Sequence, residues 1–371
     1  MTKSKYYTLD RIQSRGAHYN VIFGERSNGK TYAVLRYGLE RYFEDGSVLG
    51  IIRRWDTDFT GATSMKTCYA SLEHNGEGEN EISELSHGYY TCIEYYAGKY
   101  YLAYDDGDGK IIRSDKVVAY AFALNVAEHS KSASFPTIKT ILFDEFMTRS
   151  GYLNDEFILF QNTVSTIVRR RDDVKIFMCA NTVNKFGCPY FTEMGLKHIK
   201  NMVQGDIEVY EYEDTPLKVA VEFSDSPAKK KPSDVYFSFK NPRLGMITGT
   251  GCVWEIPSYP HCPVKYRPAD IVFVFILIYD DEVLQADVVS VDSSTFIFFH
   301  RKTTPIKDDD NDLIYTTSYS EKPNYRRNIF NRKYEVENKI AELFRLQKVF
   351  YADNEVGEIV HNYLDWCRKN K

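Results

Sequence analysis

Gly24-Glu25-Arg26-Ser27-Asn28-Gly29-Lys30-Thr31 matches G-x-x-x-x-G-K-[ST] at every defined position. Such a loop handles phosphates. The glycines let the backbone curl so that successive N–H groups converge on phosphate oxygens at a helix N-terminus. Lys30 then adds a point charge to the β- and γ-phosphates and Thr31 offers a hydroxyl to Mg²⁺. Gly24, Ser27, Asn28, Gly29, Lys30 and Thr31 are therefore candidate nucleotide ligands, with ATP and Mg²⁺ as the expected cofactors. A second motif, Ile141-Leu142-Phe143-Asp144-Glu145, ends an apolar strand in two acids. Asp144 at the carboxyl end of that strand can hold Mg²⁺ through water; the bland alternative is an acidic exit turn. Glu145 beside it can orient and deprotonate a lytic water, so the tandem argues for a hydrolase rather than a simple nucleotide binder.

Asn181 follows an apolar strand and has two readings: a hydrogen bond to the γ-phosphate or attacking water, or a cap that starts the Asn181-Thr182-Val183-Asn184 turn. Arg169-Arg170-Arg171 closes a helix, where cations favour the dipole whatever else they do. Cys252, His261 and Cys262 lack both a C-x-x-C pair and a second His at ligand spacing, so zinc is not expected.

These residues need a sheet to bring them together. Tyr19 to Phe23 reads as a strand before the loop, and Leu35, Leu39, Tyr42 and Phe43 fall on helical spacing after it. Further strands are expected at Val48–Ile52, Thr140–Phe143 and Val174–Ala180, with a helix over Asp155–Arg171. Strands alternating with helices imply a mostly parallel α/β sheet covered on both faces. From about Ser64 to Leu124, Tyr-rich alternation broken by Ala97-Gly98 and Asp106-Gly107-Asp108-Gly109 reads as a β-hairpin insertion. The glycine and prolines after Lys200 suggest a linking subdomain over residues 205–259. Residues 260–371 form a separate α+β domain, with a meander from Ile271 to His300 and helices over Glu335–Phe350 and Asn354–Arg368. The first domain is then residues 1–204.

The 371 residues include 29 Tyr and 23 Phe, which suggests a large strand fraction. With 47 basic and 52 acidic residues the formal charge is −5, excluding a uniformly basic nucleic-acid coat protein but not a locally basic channel. Arg149 and Lys229 to Lys231 are candidates to line one, although the lysine run also reads as a solvated turn. Seven widely spaced cysteines and an opening with no apolar signal region fit a reducing cytoplasm. Ile271–Tyr279 is the longest apolar run and falls short of the roughly 18 to 20 residues of a membrane helix, so no membrane partner is expected.

The ordered set FGERSNGKTYA, IIRRW, SKSASFP, TILFDEF, VRRRDDVKIFMCANTV and CPYF resembles the DNA encapsidation proteins of small tailed phages, the phi-twenty-nine-like genome-packaging ATPases. It covers about residues 15 to 195, with a weaker echo in FYADNEVGEIVHNYL. The resemblance implies an additional-strand, catalytic-glutamate (RecA-like) P-loop ATPase domain followed by a smaller RNase H-like domain. It implies phosphate and Mg²⁺ binding by Lys30 and Thr31, metal binding by Asp144 and water activation by Glu145. It further implies a trans-acting arginine finger at Arg169 and a second trans-acting base at Lys131. Arg53 and Arg54 match a basic pair after the second strand, while Asp56-Thr57-Asp58 is acidic where relatives are basic.

The expected function is thus an ATP-driven motor subunit that moves double-stranded DNA into a procapsid. By resemblance its partners are the phage portal, a structural packaging RNA and identical subunits in a pentameric ring, at work in the host cytoplasm and transiently on the portal vertex. Two rivals remain open. A P-loop small-molecule kinase would use the same loop but has little use for Glu145. A terminase-like nuclease needs clustered carboxylates on two metals, and Ile271–Tyr279 carries none.

Overall fold

The structure, a computed structural model, describes residues 6–370 apart from 27, 62–64, 75–77, 127–133, 149–150, 184, 226–256, 263, 293 and 307–310. These residues form two compact units, one of residues 6–183 with 189–225 and one of 185–188 with 257–370.

The first unit runs α1 (Asp10–Gln13), β1 (Tyr19–Gly24), α2 (Lys30–Asp45), β2 (Val48–Arg53), α3 (Thr57–Thr60), α4 (Ala70–Glu73) and α5 (Glu81–Leu85). It continues with β3 (Cys92–Tyr96), β4 (Lys99–Asp105), β5 (Ile111–Ala123), β6 (Ile138–Asp144), α6 (Glu156–Val168), β7 (Lys175–Asn181), α7 (Pro189–Glu193), β8 (Ile207–Glu211) and β9 (Lys218–Ser224). Nine strands form one sheet in the order β3-β4-β5-β2-β6-β7-β1-β9-β8. Its centre is parallel: β2 pairs with β5 and β6, β6 with β7, and β1 with β7 and β9. Val21, Ile22, Phe23, Leu49, Ile51, Leu142 and Phe177 are all buried, as central strands covered on both faces require.

Two expectations are corrected. The Tyr-rich stretch does hold antiparallel hairpins, β3-β4 and β4-β5, but it is not a hairpin throughout. Residues 57–85 hold short helices, and the last half of the 13-residue β5 pairs in parallel with β2, so β3 and β4 extend the main sheet. Nor does the linking subdomain begin at residue 205. β8 and β9 form an antiparallel hairpin, and β9 pairs with β1 from Tyr19↔Val219 to Gly24↔Ser224. The Pro216 that suggested a linker lies in the turn of this hairpin, where a missing N–H costs no ladder hydrogen bond.

A cluster of aromatic rings packs around the end of β6. Phe143 stacks on Phe160 of α6 at 5.0 Å and meets Tyr190 edge-on at 5.4 Å, and Phe146 meets Tyr190 at 5.7 Å. All four rings are fully buried, and offset or edge-on pairs add about 0.5–1.5 kcal/mol each beyond their burial. This packing fixes the end of β6 against α6.

The second unit contains β10 (Ile271–Tyr279), β11 (Glu282–Val291), β12 (Ser294–Arg301), β13 (Leu313–Thr316), β14 (Tyr325–Arg326), α8 (Glu335–Arg345), β15 (Val349–Tyr351) and α9 (Asn354–Lys369). Its sheet order is β14-β13-β10-β11-β12-β15. The expected helix over Glu335–Phe350 stops at Arg345, because Gln347 takes φ 56° and Val349–Tyr351 pairs with β12. α9 buries Val356, Ile359, Val360, Tyr363, Leu364 and Cys367 in a core with Phe275, Leu277 and Phe299.

Candidate functional site

β1, buried from Asn20 to Gly24, enters the phosphate loop, and α2 leaves it. Gly24 is needed for close approach: a Cβ there would stand 2.2 Å from Ser224 Oγ. Gly29 has φ 96° and is the N-cap of α2, a conformation that side chains disfavour. Asn28 is buried, donates from Nδ2 to Ser224 Oγ (2.8 Å), and accepts on its carbonyl from Tyr7 N–H (3.0 Å). The loop is therefore braced from below by β9 and by the segment that precedes α1. Lys30 is only 5% exposed and donates from Nζ to the Glu25 carbonyl (2.5 Å) and Asn28 Oδ1 (3.2 Å). In this geometry its ammonium lies along its own loop, satisfied by groups that a phosphate would replace.

β7 stands between β1 and β6, so loop and acids sit at the carboxyl ends of strands with one strand between them. Thr31 Oγ1 nonetheless donates to Asp144 Oδ1 at 2.7 Å. Asn28, Gly29, Lys30, Thr31, Tyr32, Asp144, Glu145, Ala180 and Asn181 line a single cleft of about 190 Å³. Asn181 is the last residue of β7 and pairs in register with Gly24, which puts its side chain at the cleft wall.

Burial pushes the Asp144 carboxyl above its ordinary range, opposed by the Arg53 guanidinium and the Thr31 hydroxyl. A hydroxyl and a buried carboxylate side by side form an oxygen donor set that suits Mg²⁺, a hard cation that keeps several waters.

Arg53 is the feature the motifs did not reveal. Its Nη1 donates to Asp144 Oδ2 (2.9 Å), its Nη2 to Glu145 Oε2 (2.8 Å) and its Nε to Asp58 Oδ2 (3.1 Å). One guanidinium thus occupies both acids, and Asp58, in the acidic turn noted above, supports it from the far side. Arg53 and both acids also line a second cleft of about 430 Å³ with Thr57, Asp58 and Cys68. The signal was a charge ending a buried strand, which demands partners, but spacing does not name them.

Arg54, 6% exposed, forms a bidentate pair with Glu156 at the start of α6, at 2.7 and 2.8 Å. Breaking a buried pair of this kind costs about 3–5 kcal/mol.

The three arginines after α6 divide. Arg171 is tied down, donating to the carbonyls of Phe135, Pro136, Ile167 and Val168. Arg169 caps the helix with φ 42°, is exposed, and is not among the residues lining the cleft of Thr31 and Asp144. Ser27, Lys131, Arg149 and Lys229 to Lys231 lie outside the described residues.

Fold and site together define an α/β protein with a phosphate loop and a strand-end acid pair. Residues 106–239 match the family model of the Podovirus DNA encapsidation protein (Gp16). The chain is 24% identical to the DNA packaging protein of Bacillus phage phi29 over 194 residues, 52% of this chain and 50% of that protein. It is 25% identical to the DNA packaging protein of Bacillus phage B103 over 180 residues, 48% of each. Over these stretches the chain is similar to the podoviral DNA encapsidation proteins, and it spans about half the length of the curated relatives it matches. Among solved structures, the bacteriophage Phi-29 viral genome packaging motor assembly covers 99% of this chain and 100% of that one, with a TM-score of 0.56 at 20% identity. The Phi-28 gp11 DNA packaging motor covers 99% and 97%, with a TM-score of 0.50 at 19% identity. These likenesses extend to the fold of nearly the whole chain.

Proposed function

We propose that the chain is the ATPase subunit of a phage DNA-packaging motor, hydrolysing ATP to drive double-stranded DNA into a procapsid. The observation that carries the reading is the Thr31–Asp144 hydrogen bond, which joins the two motifs in one cleft with Glu145 at its rim. Lys30 leaves the Glu25 carbonyl for the β- and γ-phosphates, and the N–H groups at the start of α2 take the remaining oxygens. Thr31 and Asp144 hold Mg²⁺, which neutralises charge on the phosphates. Glu145 accepts a proton from the attacking water once Arg53 releases it, and Asn181 at the cleft wall orients that water or the γ-phosphate. Arg169 reaches the site of a neighbouring subunit, as does Lys131, in a homo-oligomeric ring taken to be a pentamer.

The wider assignments belong to the same proposal. The partners are DNA, the portal of the procapsid and a structural RNA, and the setting is the host cytoplasm with a transient stay at the portal vertex. No described helix is long and apolar enough to cross a membrane. The names of the relatives support the packaging role over the kinase rival. The deciding experiment mixes purified protein with procapsids and DNA. Hydrolysis stimulated by both, with DNA becoming protected from added nuclease, is the expected result. Unstimulated hydrolysis together with phosphate transfer to a small acceptor would move the chain to the kinases.

DNA binding is expected to be independent of sequence and steeply salt-dependent, because a moving grip reads phosphates alone. Each phosphate neutralised adds about −0.9 to the slope of log affinity against log salt. Filter binding of unrelated duplexes across a salt series measures this, and a preferred sequence at moderate salt contradicts a translocase.

For the second unit we propose an RNase H-like fold without nuclease activity, serving as an adaptor. The fold is supported by the antiparallel meander β10-β11-β12, with β13 and β14 added in parallel on the other side of β10. The inactivity is supported by the surroundings of Asp287. Its carboxylate accepts from Tyr266 Oη (2.9 Å) and Gln285 Nε2 (2.8 Å) and pairs with His300 Nε2 (3.4 Å), so neighbours already use its oxygens. β10 carries no acid, and two-metal cleavage needs several converging ones. Plasmid incubated with the full chain and millimolar Mn²⁺ should remain supercoiled. Nicking that disappears in Asp287→Asn would reveal a live nuclease site.

A further inference from the structure

Glu145 stands on an unusual piece of backbone. Its φ of 57° is left-handed, which a residue with a Cβ adopts only when its surroundings impose it. Its side chain is 59% exposed and touches Arg53, so side-chain packing does not set the turn. The backbone contacts do. Phe146 N–H donates to the Cys179 carbonyl at 3.3 Å, and Arg54 donates from Nη1 to the Glu145 carbonyl (3.2 Å) and from Nη2 to the Phe146 carbonyl (2.8 Å).

We propose that Arg54 is a positioning residue for the catalytic acid: clamped by Glu156, it holds the backbone turn from which Glu145 reaches the water. The proposal rests on reading Glu145 as that acid. A merely structural ion pair would need Arg54 and Glu156 alone, whereas here the guanidinium also spans two consecutive carbonyls of the acid turn. The clamp is itself fixed. Glu156 accepts from Leu153 N–H and Tyr190 Oη, each at 2.7 Å, and its side chain is fully buried. The Tyr152 ring lies against the guanidinium at 5.2 Å. The two adjacent arginines therefore divide the work. Arg53 binds the acid side chains and can release them, while Arg54 binds the backbone carbonyls of Glu145 and Phe146 and stays. Lysine, a point charge without the planar fork, cannot make both sets of contacts.

The test uses the full chain with ATP. Arg54→Lys should lower kcat by about 10²-fold, the scale of a small misplacement of a reacting group, with ATP affinity within about twofold of wild type. Adding Arg54→Lys to Glu145→Gln should cost little more, since both changes act on one step. A purely structural role predicts wild-type kcat per bound nucleotide, and a role independent of Glu145 predicts losses that multiply in the double variant. Either result overturns the proposal. If Arg54→Lys does not fold, Tyr190→Phe loosens the clamp by the single hydrogen bond it donates to Glu156, and wild-type kcat in that variant overturns it equally. Glu145→Gln hydrolysing at the wild-type rate would instead sink the reading of Glu145, an outcome visible without any change at Arg54.

Discussion

Lys30→Ala is expected to abolish nucleotide binding, whereas Glu145→Gln is expected to bind nucleotide as wild type does and to lose roughly 10²–10⁴-fold in hydrolysis, the usual contribution of a positioned general base. The difference follows from where each group lies. Lys30 is buried and lines the cleft together with Thr31 and Asp144. Alanine would leave the phosphates facing Asp144 and Glu145 without the buried ammonium at the start of α2. Glu145 lies at the rim, half exposed, so its replacement by an amide removes a proton acceptor without reshaping the floor. The neutral amide would also be held less firmly by Arg53, which favours binding if anything. Titration with a fluorescent ATP analogue separates binding from phosphate release. Hydrolysis at the wild-type rate in either variant would dismantle the site assignment.

Removing Arg169 should lower hydrolysis by roughly 10³–10⁵-fold with little loss of ATP affinity, if it acts as arginine fingers do. Arg169 is exposed at the end of α6 and does not line the cleft of its own subunit, so the effect would have to come from a neighbour's site. Arg171 is a built-in comparison. Bound to four carbonyls, its replacement should destabilise the fold rather than selectively slow the chemistry. Mixing Arg169→Ala with Glu145→Gln protein creates interfaces that pair an intact acid with an intact arginine, and partial recovery of activity is expected there. Mixed rings that form and stay inactive would assign Arg169 to its own subunit or to structure.

Contiguous motifs were the most legible part of the chain. The phosphate loop needs glycine, lysine and threonine at fixed neighbouring positions, so residue types alone point to the chemistry. An apolar run ending in Asp144-Glu145 likewise implied a buried strand with acids at its tip, and β6 has that form. Helix α6, expected over Asp155–Arg171, spans Glu156–Val168 and buries Phe160, Val164 and Ile167. The hairpin of β8 and β9 was not legible. Ile207–Glu211 is a polar edge strand, and the residues that turn a hairpin are the same ones that loosen a linker. Only pairing with β1 distinguishes them.

What the amino-acid order determined by itself is the set of groups available at each strand end: a glycine-lysine-threonine loop after β1 and two consecutive acids at the end of β6. Local rules suffice there, because each motif is held by its own strand, turn and helix. What tertiary structure decided is the condition of those groups. Strand order inserted β7 between loop and acids, yet left Thr31 and Asp144 in contact. The same order brought the end of β2 beside β6, so that Arg53 covers both acids and Arg54 grips the turn beneath them. These contacts join residues about 90 positions apart in the chain. A buried charge announces that it needs a partner, but the sheet's strand order determines which one it finds.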